Sequence, residues 1–312
     1  MHVVVVDPSR TVLKCVARLL EARQDAVHTF TDGGKAFEFI NSDLTVDALI
    51  TSTEPLSMSG LELCARTREL ASQRPIFVLL MSSNFDDAKM IEALDSGADD
   101  FVIKPPAVER LYARLRAAER MTSMQRELIR LATTDALTGV LNRRAFFERA
   151  KTLCARAEAG VALSAIMVDI DHFKRINDLR GHDTGDEAIR LVAREIAIKD
   201  SLCVRLGGEE FAILIEGCVI VEAAEIAETL RVALAASQVG TGESAVRLSC
   251  SFGVSGWQRG DTIDRLLKRA DVALYDAKLG GRNRVVVADT AMSTMDFRDM
   301  AGVLRSTMQR VG

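Results

Sequence analysis

The sequence contains no C-x-x-C pair. Its six cysteines (Cys15, Cys64, Cys154, Cys203, Cys218, Cys250) are scattered, most of them in apolar stretches as buried thiols are. That argues against a zinc site or a disulfide framework and fits a reducing compartment. No apolar run approaches the roughly 18 residues of a membrane-spanning helix, so no membrane span is expected. The opening HVVVV meets Asp7 at once, too short a core for a signal peptide, and the expected location is the cytoplasm. A surplus of positive charge is also missing. The net charge of −4 argues against a general nucleic-acid binder, whose footprint is a basic face. One bound nucleotide needs only local charge.

What is present is enough apolar material for two cores. Hydrophobic residues make up 48% of 312, and a length near two times the roughly 150 residues of a common domain suggests two domains. Residues 1–118 alternate continuous apolar runs (2–6, 26–30, 46–51, 75–81, 100–103) with helical patterns (10–23, 33–41, 60–71, 86–95). Such strands belong to a parallel sheet covered on both faces, and five β/α units suit a flavodoxin-like doubly wound fold. Residues 107–133 then read as one long helix, with Leu111, Leu115, Ala118, Met121, Leu128 and Leu131 at three- to four-residue steps. Such a stripe is covered either by its own domain or by a second copy in a coiled coil. A second domain is expected over 134–288. Strands are expected at 161–168, 203–206, 210–215, 246–253 and 284–287, and helices at 142–158, 185–198, 221–236 and 262–279. The uneven spacing and a two-residue hairpin favour an α+β sheet. The tail, 289–312, carries Met292, Met295, Phe297, Met300, Val303, Leu304 and Met308, a pattern compatible with an amphipathic helix.

Three segments of the second domain carry candidate chemistry. An apolar strand expected to end at Val168 is followed by Asp169 and Asp171. Acids at a strand's carboxyl end suit a hard cation, or equally a solvated loop. In RLGGEEF, Gly207 and Gly208 suit a tight hairpin turn, and the adjacent Glu209 and Glu210 repel each other unless something screens them. A divalent ion shared with Asp169 would do so; an ordinary surface hairpin is the alternative. In DAKLGGRNR, Lys278 and Arg282 stand four apart, spacing suited to a polyphosphate but also to a solvated basic helix end.

Together with DALTGVLNRR (135–144), DIDHFKRINDLRGHDTGDEAI (169–189), SFG (251–253) and ADVALYDAKLGGRNR (270–284), these segments make the domain resemble the GGDEF family of diguanylate cyclases. The resemblance implies an enzyme that condenses two GTP into cyclic di-GMP with magnesium or manganese, as a homodimer in which each subunit holds one GTP. It implies Asp169, the Ile170 carbonyl and Glu209 as metal ligands, with Glu210 assisting. Glu209 is implied as base toward the attacking 3′-hydroxyl. Phe173 and Lys174 would contact phosphate, Lys174 offsetting transition-state charge. Asn177, His182 and Asp186 would hold the nucleoside, with Asn177 and Asp186 reading guanine. Gly207 and Gly208 would let the substrate approach, and Lys278 and Arg282 would grip the triphosphate. One departure matters. Where many members carry an inhibitory R-x-x-D, this chain has Ile198 and Ser201, with Lys199 and Asp200 out of register, so weak product inhibition is expected. A catalytically silent GTP-binding scaffold is the rival reading; the retained acids and glycines speak against it.

The first domain resembles response-regulator receivers through VVVVDPSR, MSGLEL (58–63) and GADDFVIKPP (97–106). The resemblance implies a pocket of Asp7, Ser52, Ser82 and Lys104. Ser52 stands where receivers carry the phosphoacceptor Asp, and Pro8 replaces a second metal-binding acid. A serine hydroxyl is a poor substitute for a carboxylate nucleophile. The expectation is a degenerate receiver that no longer takes up phosphate and serves as a dimerisation platform, a docking site for a regulatory protein or a sensor of another ligand.

Overall fold

In the computed structural model the described residues are 1–54, 57–71, 74–83, 87–240 and 245–288. The tail pattern of 289–312 lies outside them. The chain divides into two compact units, Met1–Arg130 and Leu131–Gly312.

The first unit runs β1 (His2–Val6), α1 (Arg10–Ala22), β2 (Ala26–Phe30), α2 (Gly33–Ser42), β3 (Ala48–Ser52), α3 (Gly60–Ala71), β4 (Phe77–Ser82), α4 (Asp87–Asp95), β5 (Asp100–Ile103) and α5 (Val108–Thr133). The sheet order is β2-β1-β3-β4-β5, all parallel. β3 and β4 are buried along their whole length, as strands covered on both faces must be. Alternate strand residues feed two cores. Val4, Val6, Leu49 and Leu80 face α2 and α3, while Val3, Val5, Ile50 and Leu79 face α1 and the first half of α5. The expected flavodoxin-like fold is present.

α5 has two apolar stripes. Leu111, Leu115, Ala118 and Thr122 are buried against the sheet. Burying each aliphatic side chain is worth roughly 1.5–3 kcal/mol. Tyr112 donates to the Leu19 carbonyl at 2.7 Å, and Arg126 pairs with Asp47. A second set, Met121, Met124, Leu128 and Leu131, is between 44% and 68% exposed.

The second unit runs α6 (Arg143–Glu158), β6 (Leu163–Ile170), α7 (Phe173–Arg180), α8 (His182–Ile196), β7 (Ser201–Gly207), β8 (Glu210–Glu216), α9 (Ile220–Ala236), β9 (Gln238–Val239), β10 (Val246–Arg247), β11 (Cys250–Gly256), α10 (Ile263–Leu279) and β12 (Val285–Val287). Its main sheet is mixed, in the order β12-β11-β6-β8-β7, with β11 and β12 parallel and the remaining pairs antiparallel. β6 is central and buried throughout. α8 and α9 pack against one face, α6 and α10 against the other.

Three details differ from the sequence reading. β6 extends through Asp169 to Ile170, because its ladders with β8 and β11 continue past the last apolar residue. The expected 246–253 strand divides into β10 and β11, with Leu248 and Ser249 between them. α7 had no counterpart; it buries little beyond Ile176, so its sequence shows no apolar stripe.

Candidate active site

The site gathers at the carboxyl end of β6. Asp169 sits between two neighbours, paired in register with Glu210 on β8 and with Ser251 on β11. Its side chain is buried and makes a 2.7 Å ion pair with Lys278 Nζ from the end of α10. Burial pushes the Asp169 carboxyl up to about 6; Lys278 opposes that shift, and the charges of Glu209 and Glu210 add to it. The two glutamates therefore act on Asp169 as a common acidic corner. Lys278 is placed on the acid rather than free in solvent, so an ammonium already stands as counter-cation to this carboxylate.

The hairpin differs in one respect from its expected form. Gly207 pairs with Glu210, and Gly208 and Glu209 form the turn. Gly208 has φ 51°, a left-handed conformation that glycine adopts without steric cost. This puts Glu209 at the tip and Glu210 on the strand facing Asp169. Arg205 braces the turn by donating to the Gly208 carbonyl at 2.9 Å. It also reaches Asp135 at 3.2 Å. Burial alone would raise the Asp135 carboxyl, but bonds from Thr138 and the charge of Arg205 hold it below the usual carboxylate range. Both residues lie inside the motifs DALTGVLNRR and RLGGEEF, but nothing local in either motif marks this bracing role.

The proposed base-reading residues lie on α7 and α8. Asn177 Oδ1 is buried and has no hydrogen-bond partner. It lies where a methyl group on Gly185 would approach within 1.9 Å, so Gly185, another residue the sequence reading left without a role, is what lets the two helices close around Asn177. Phe173 packs partly against the core. Asp186 is partly exposed and 3.8 Å from Arg190. His182 opens α8, and Lys174 and Arg282 are exposed.

Every donor offered by Asp169, Ile170, Glu209 and Glu210 is a hard oxygen, which suits magnesium or manganese. Among the described residues, no three His, Cys, Asp or Glu side chains converge into a ready metal cage.

An apo-state consequence follows from Asp169. In an unfolded chain this carboxyl titrates near about 3.9, so the folded state binds the extra proton. Wild-type stability therefore falls as pH rises from about 4 through about 6, the loss completing only above the folded value. Without metal or nucleotide, Asp169→Asn should melt several degrees above wild type at pH 7.5 and match it near pH 4. Differential scanning fluorimetry at both pH values checks this; equal melting throughout would contradict it.

In the first unit, Asp7, Ser52, Ser82 and Lys104 meet at the carboxyl edge of the parallel sheet. Asp7, Ser52 and Ser82 are buried. Lys104 Nζ lies 2.6 Å from Asp7 Oδ2 and donates to Ser52 Oγ at 2.5 Å. The ammonium thus bridges the remaining acid and the serine. At position 198, Ile packs partly against the second unit's core, and Ser201 Oγ donates to the Ile198 carbonyl at 2.8 Å.

A mixed sheet carrying an acidic corner beside a glycine turn follows a flavodoxin-like parallel sheet, which makes this a protein of two modules. The chain carries a GGDEF domain and a response-regulator receiver domain. Residues 132–284 match the family model "Diguanylate cyclase, GGDEF domain", and residues 3–116 match "Response regulator receiver domain". It is 37% identical over 256 residues to the response regulator PleD of Caulobacter vibrioides, an alignment covering 77% of this chain and 56% of PleD. It is 38% identical over 169 residues to the diguanylate cyclase DgcM of Escherichia coli, covering 53% of this chain and 40% of that protein. The chain thus spans little more than half of PleD and less than half of DgcM. The structure of the coiled coil and GGDEF domain of DgcB from Caulobacter crescentus, in complex with c-di-GMP, is similar at 34% identity and a TM-score of 0.52. That match covers 58% of this chain and 98% of that one. No helix among the described residues is long and apolar enough to cross a membrane.

Proposed function

We propose that this protein is an active diguanylate cyclase that joins two GTP into cyclic di-GMP and releases two pyrophosphates. The observation that carries the reading is the acidic corner: buried Asp169 opposite Glu210, with Glu209 at the adjoining turn. Asp169, the Ile170 carbonyl and Glu209 would hold magnesium or manganese, with Glu210 beside them. Bound there, the ion would supply Lewis-acid neutralisation of phosphate charge. Oxygens of the nucleotide would complete a donor set that the side chains alone leave open.

The chain's own groups do the rest. Asn177, with its unpartnered amide oxygen, and Asp186 accept hydrogen bonds from guanine N1 and N2; adenine has neither donor. Lys278 and Arg282 would hold the triphosphate, Lys278 exchanging its present partner Asp169 for phosphate. Glu209 takes the proton of the 3′-hydroxyl as that oxygen attacks the α-phosphorus of the GTP on the partner subunit. The bond to pyrophosphate breaks as the new phosphodiester forms, and Lys174 offsets the added charge.

Two such half-sites must face each other. The exposed stripe Met121, Met124, Leu128 and Leu131 follows three-four-three spacing, the seam of a two-stranded coiled coil. We infer that α5 carries it against a second copy. The receiver pocket offers the Ser52 hydroxyl where a carboxylate nucleophile would stand, so regulation enters by assembly or a partner protein. Phosphoryl-donor treatment should leave Ser52 unmodified; intact mass spectrometry showing an added phosphoryl group there would contradict this.

The function is tested by supplying GTP or ATP to the purified full chain with magnesium. GTP should be consumed with pyrophosphate release, and ATP left untouched. GTP bound without pyrophosphate release would instead favour the silent-scaffold reading.

A further inference from the structure

Asp171 stands two residues beyond Asp169, and a continuing strand would turn it toward the same corner. β6 ends at Ile170 instead, and the chain turns at Asp171 into α7. The Asp171 side chain is buried and fully engaged within the protein. One carboxylate oxygen accepts Ser251 Oγ at 2.7 Å, and the other accepts the Asn283 N–H at 3.0 Å. Its own N–H donates to the Ser249 carbonyl at 2.9 Å.

The Asn283 bond reaches the link between α10 and β12. There Gly281, Arg282 and Asn283 have φ of 114°, 64° and 45° in succession. Two of the three are not glycine, and L-residues adopt this region sparingly. The link is held at both ends: the Arg282 N–H donates to the Ala277 carbonyl at 3.0 Å, and Phe252 N–H donates to the Arg284 carbonyl at 2.9 Å. Arg231 holds the Asn283 side-chain oxygen at 2.9 Å. Between those ends, the Asp171 carboxylate ties the left-handed stretch to the end of β6. It therefore fixes the backbone of Arg282 to the strand that carries Asp169.

We propose that Asp171 is a positioning residue for the triphosphate: it clamps the left-handed 281–283 link so that Arg282 stands in register with the acidic corner. The inference rests on Arg282 as a phosphate ligand. It separates Asp171 from the metal ligands, although both acids occupy one D-x-D motif.

Asp171→Asn is the informative variant. Its amide oxygen can accept the Asn283 N–H while its amide nitrogen donates to Ser251 Oγ, so the clamp survives. Asp171→Ala removes it. Binding of α,β-methylene-GTP with magnesium is measured by calorimetry for wild type, Asp171→Asn, Asp171→Ala, Arg282→Ala and the Ala/Ala double variant, alongside KM, kcat and magnesium dependence. Asp171→Ala should weaken binding and raise KM by about tenfold, the loss of one charge-assisted hydrogen bond, with kcat changed less. The double variant should bind no more weakly than Arg282→Ala, since both changes remove one contact. Asp171→Asn should stay near wild type in affinity and magnesium requirement. A raised magnesium requirement in Asp171→Asn would make the residue a metal ligand and overturn the proposal, even if Asp171→Ala does not fold. Multiplied penalties in the double variant, or unchanged affinity in Arg282→Ala, would overturn it too. Absence of turnover by wild type would sink the enzyme assignment, while the binding cycle would still decide the role of Asp171.

Discussion

Glu209→Gln protein, purified and given GTP and magnesium, should make no detectable cyclic di-GMP. Glutamine keeps the size of the side chain and one carbonyl oxygen at the turn between Gly208 and Glu210. It loses the anionic oxygen that would serve the cation and the site that would take the 3′-hydroxyl proton. Loss of a general base costs about 10²–10⁴ in rate by itself, and a weakened metal site adds to that. Folding should be unaffected, because Glu209 sits at a turn tip whose geometry is set by Gly208 and braced by Arg205. GTP binding through Asn177 and Asp186 should persist. Turnover near the wild-type rate would refute the role assigned to Glu209.

The second large effect is expected from the exposed stripe of α5. Met124→Arg with Leu128→Arg places two charges in the exposed stripe of α5. Neither residue belongs to the buried stripe of Leu111, Leu115, Ala118 and Thr122, so the first unit should fold as before. Two subunits cannot close a seam over paired like charges. Sedimentation should show a monomer, and activity should fall by several orders of magnitude, because alignment of two bound reactants is worth up to about 7–11 kcal/mol. Each monomer should still bind one GTP. A fully active monomer, or a dimer indifferent to both charges, would remove α5 from the mechanism.

The sequence showed its repeating patterns and missed the contacts that join distant segments. Continuous apolar runs gave the parallel sheet, since strands buried on both faces have no other composition. The D-x-D, GGEEF and Lys-x-x-x-Arg segments pointed to a site only through the family resemblance that they carry together; each alone suited a solvated loop, a surface hairpin or a basic helix end equally well. Periodicity said nothing about α7, whose polar sequence anchors through Ile176. The pair of Lys278 with Asp169 joins residues more than a hundred positions apart, and no local pattern encodes it. The same holds for Arg205 with Asp135, whereas Lys104, Asp7 and Ser52 were grouped beforehand through the receiver resemblance alone. Asp171 shows the reverse case. Its spacing from Asp169 suggested a shared cation, yet the strand ends between them and the second carboxylate becomes structural. Gly185 is legible only in three dimensions, where the space denied to a Cβ is filled by the Asn177 amide.

Mass analysis of the products made from GTP by the wild-type chain, with magnesium present and then chelated, bears most directly on the central claim. One cyclic di-GMP for every two pyrophosphates is the predicted result, ceasing when the cation is withdrawn and resuming when it is restored. Product formation undiminished by chelation, or pyrophosphate released without a cyclic dinucleotide, would contradict the account.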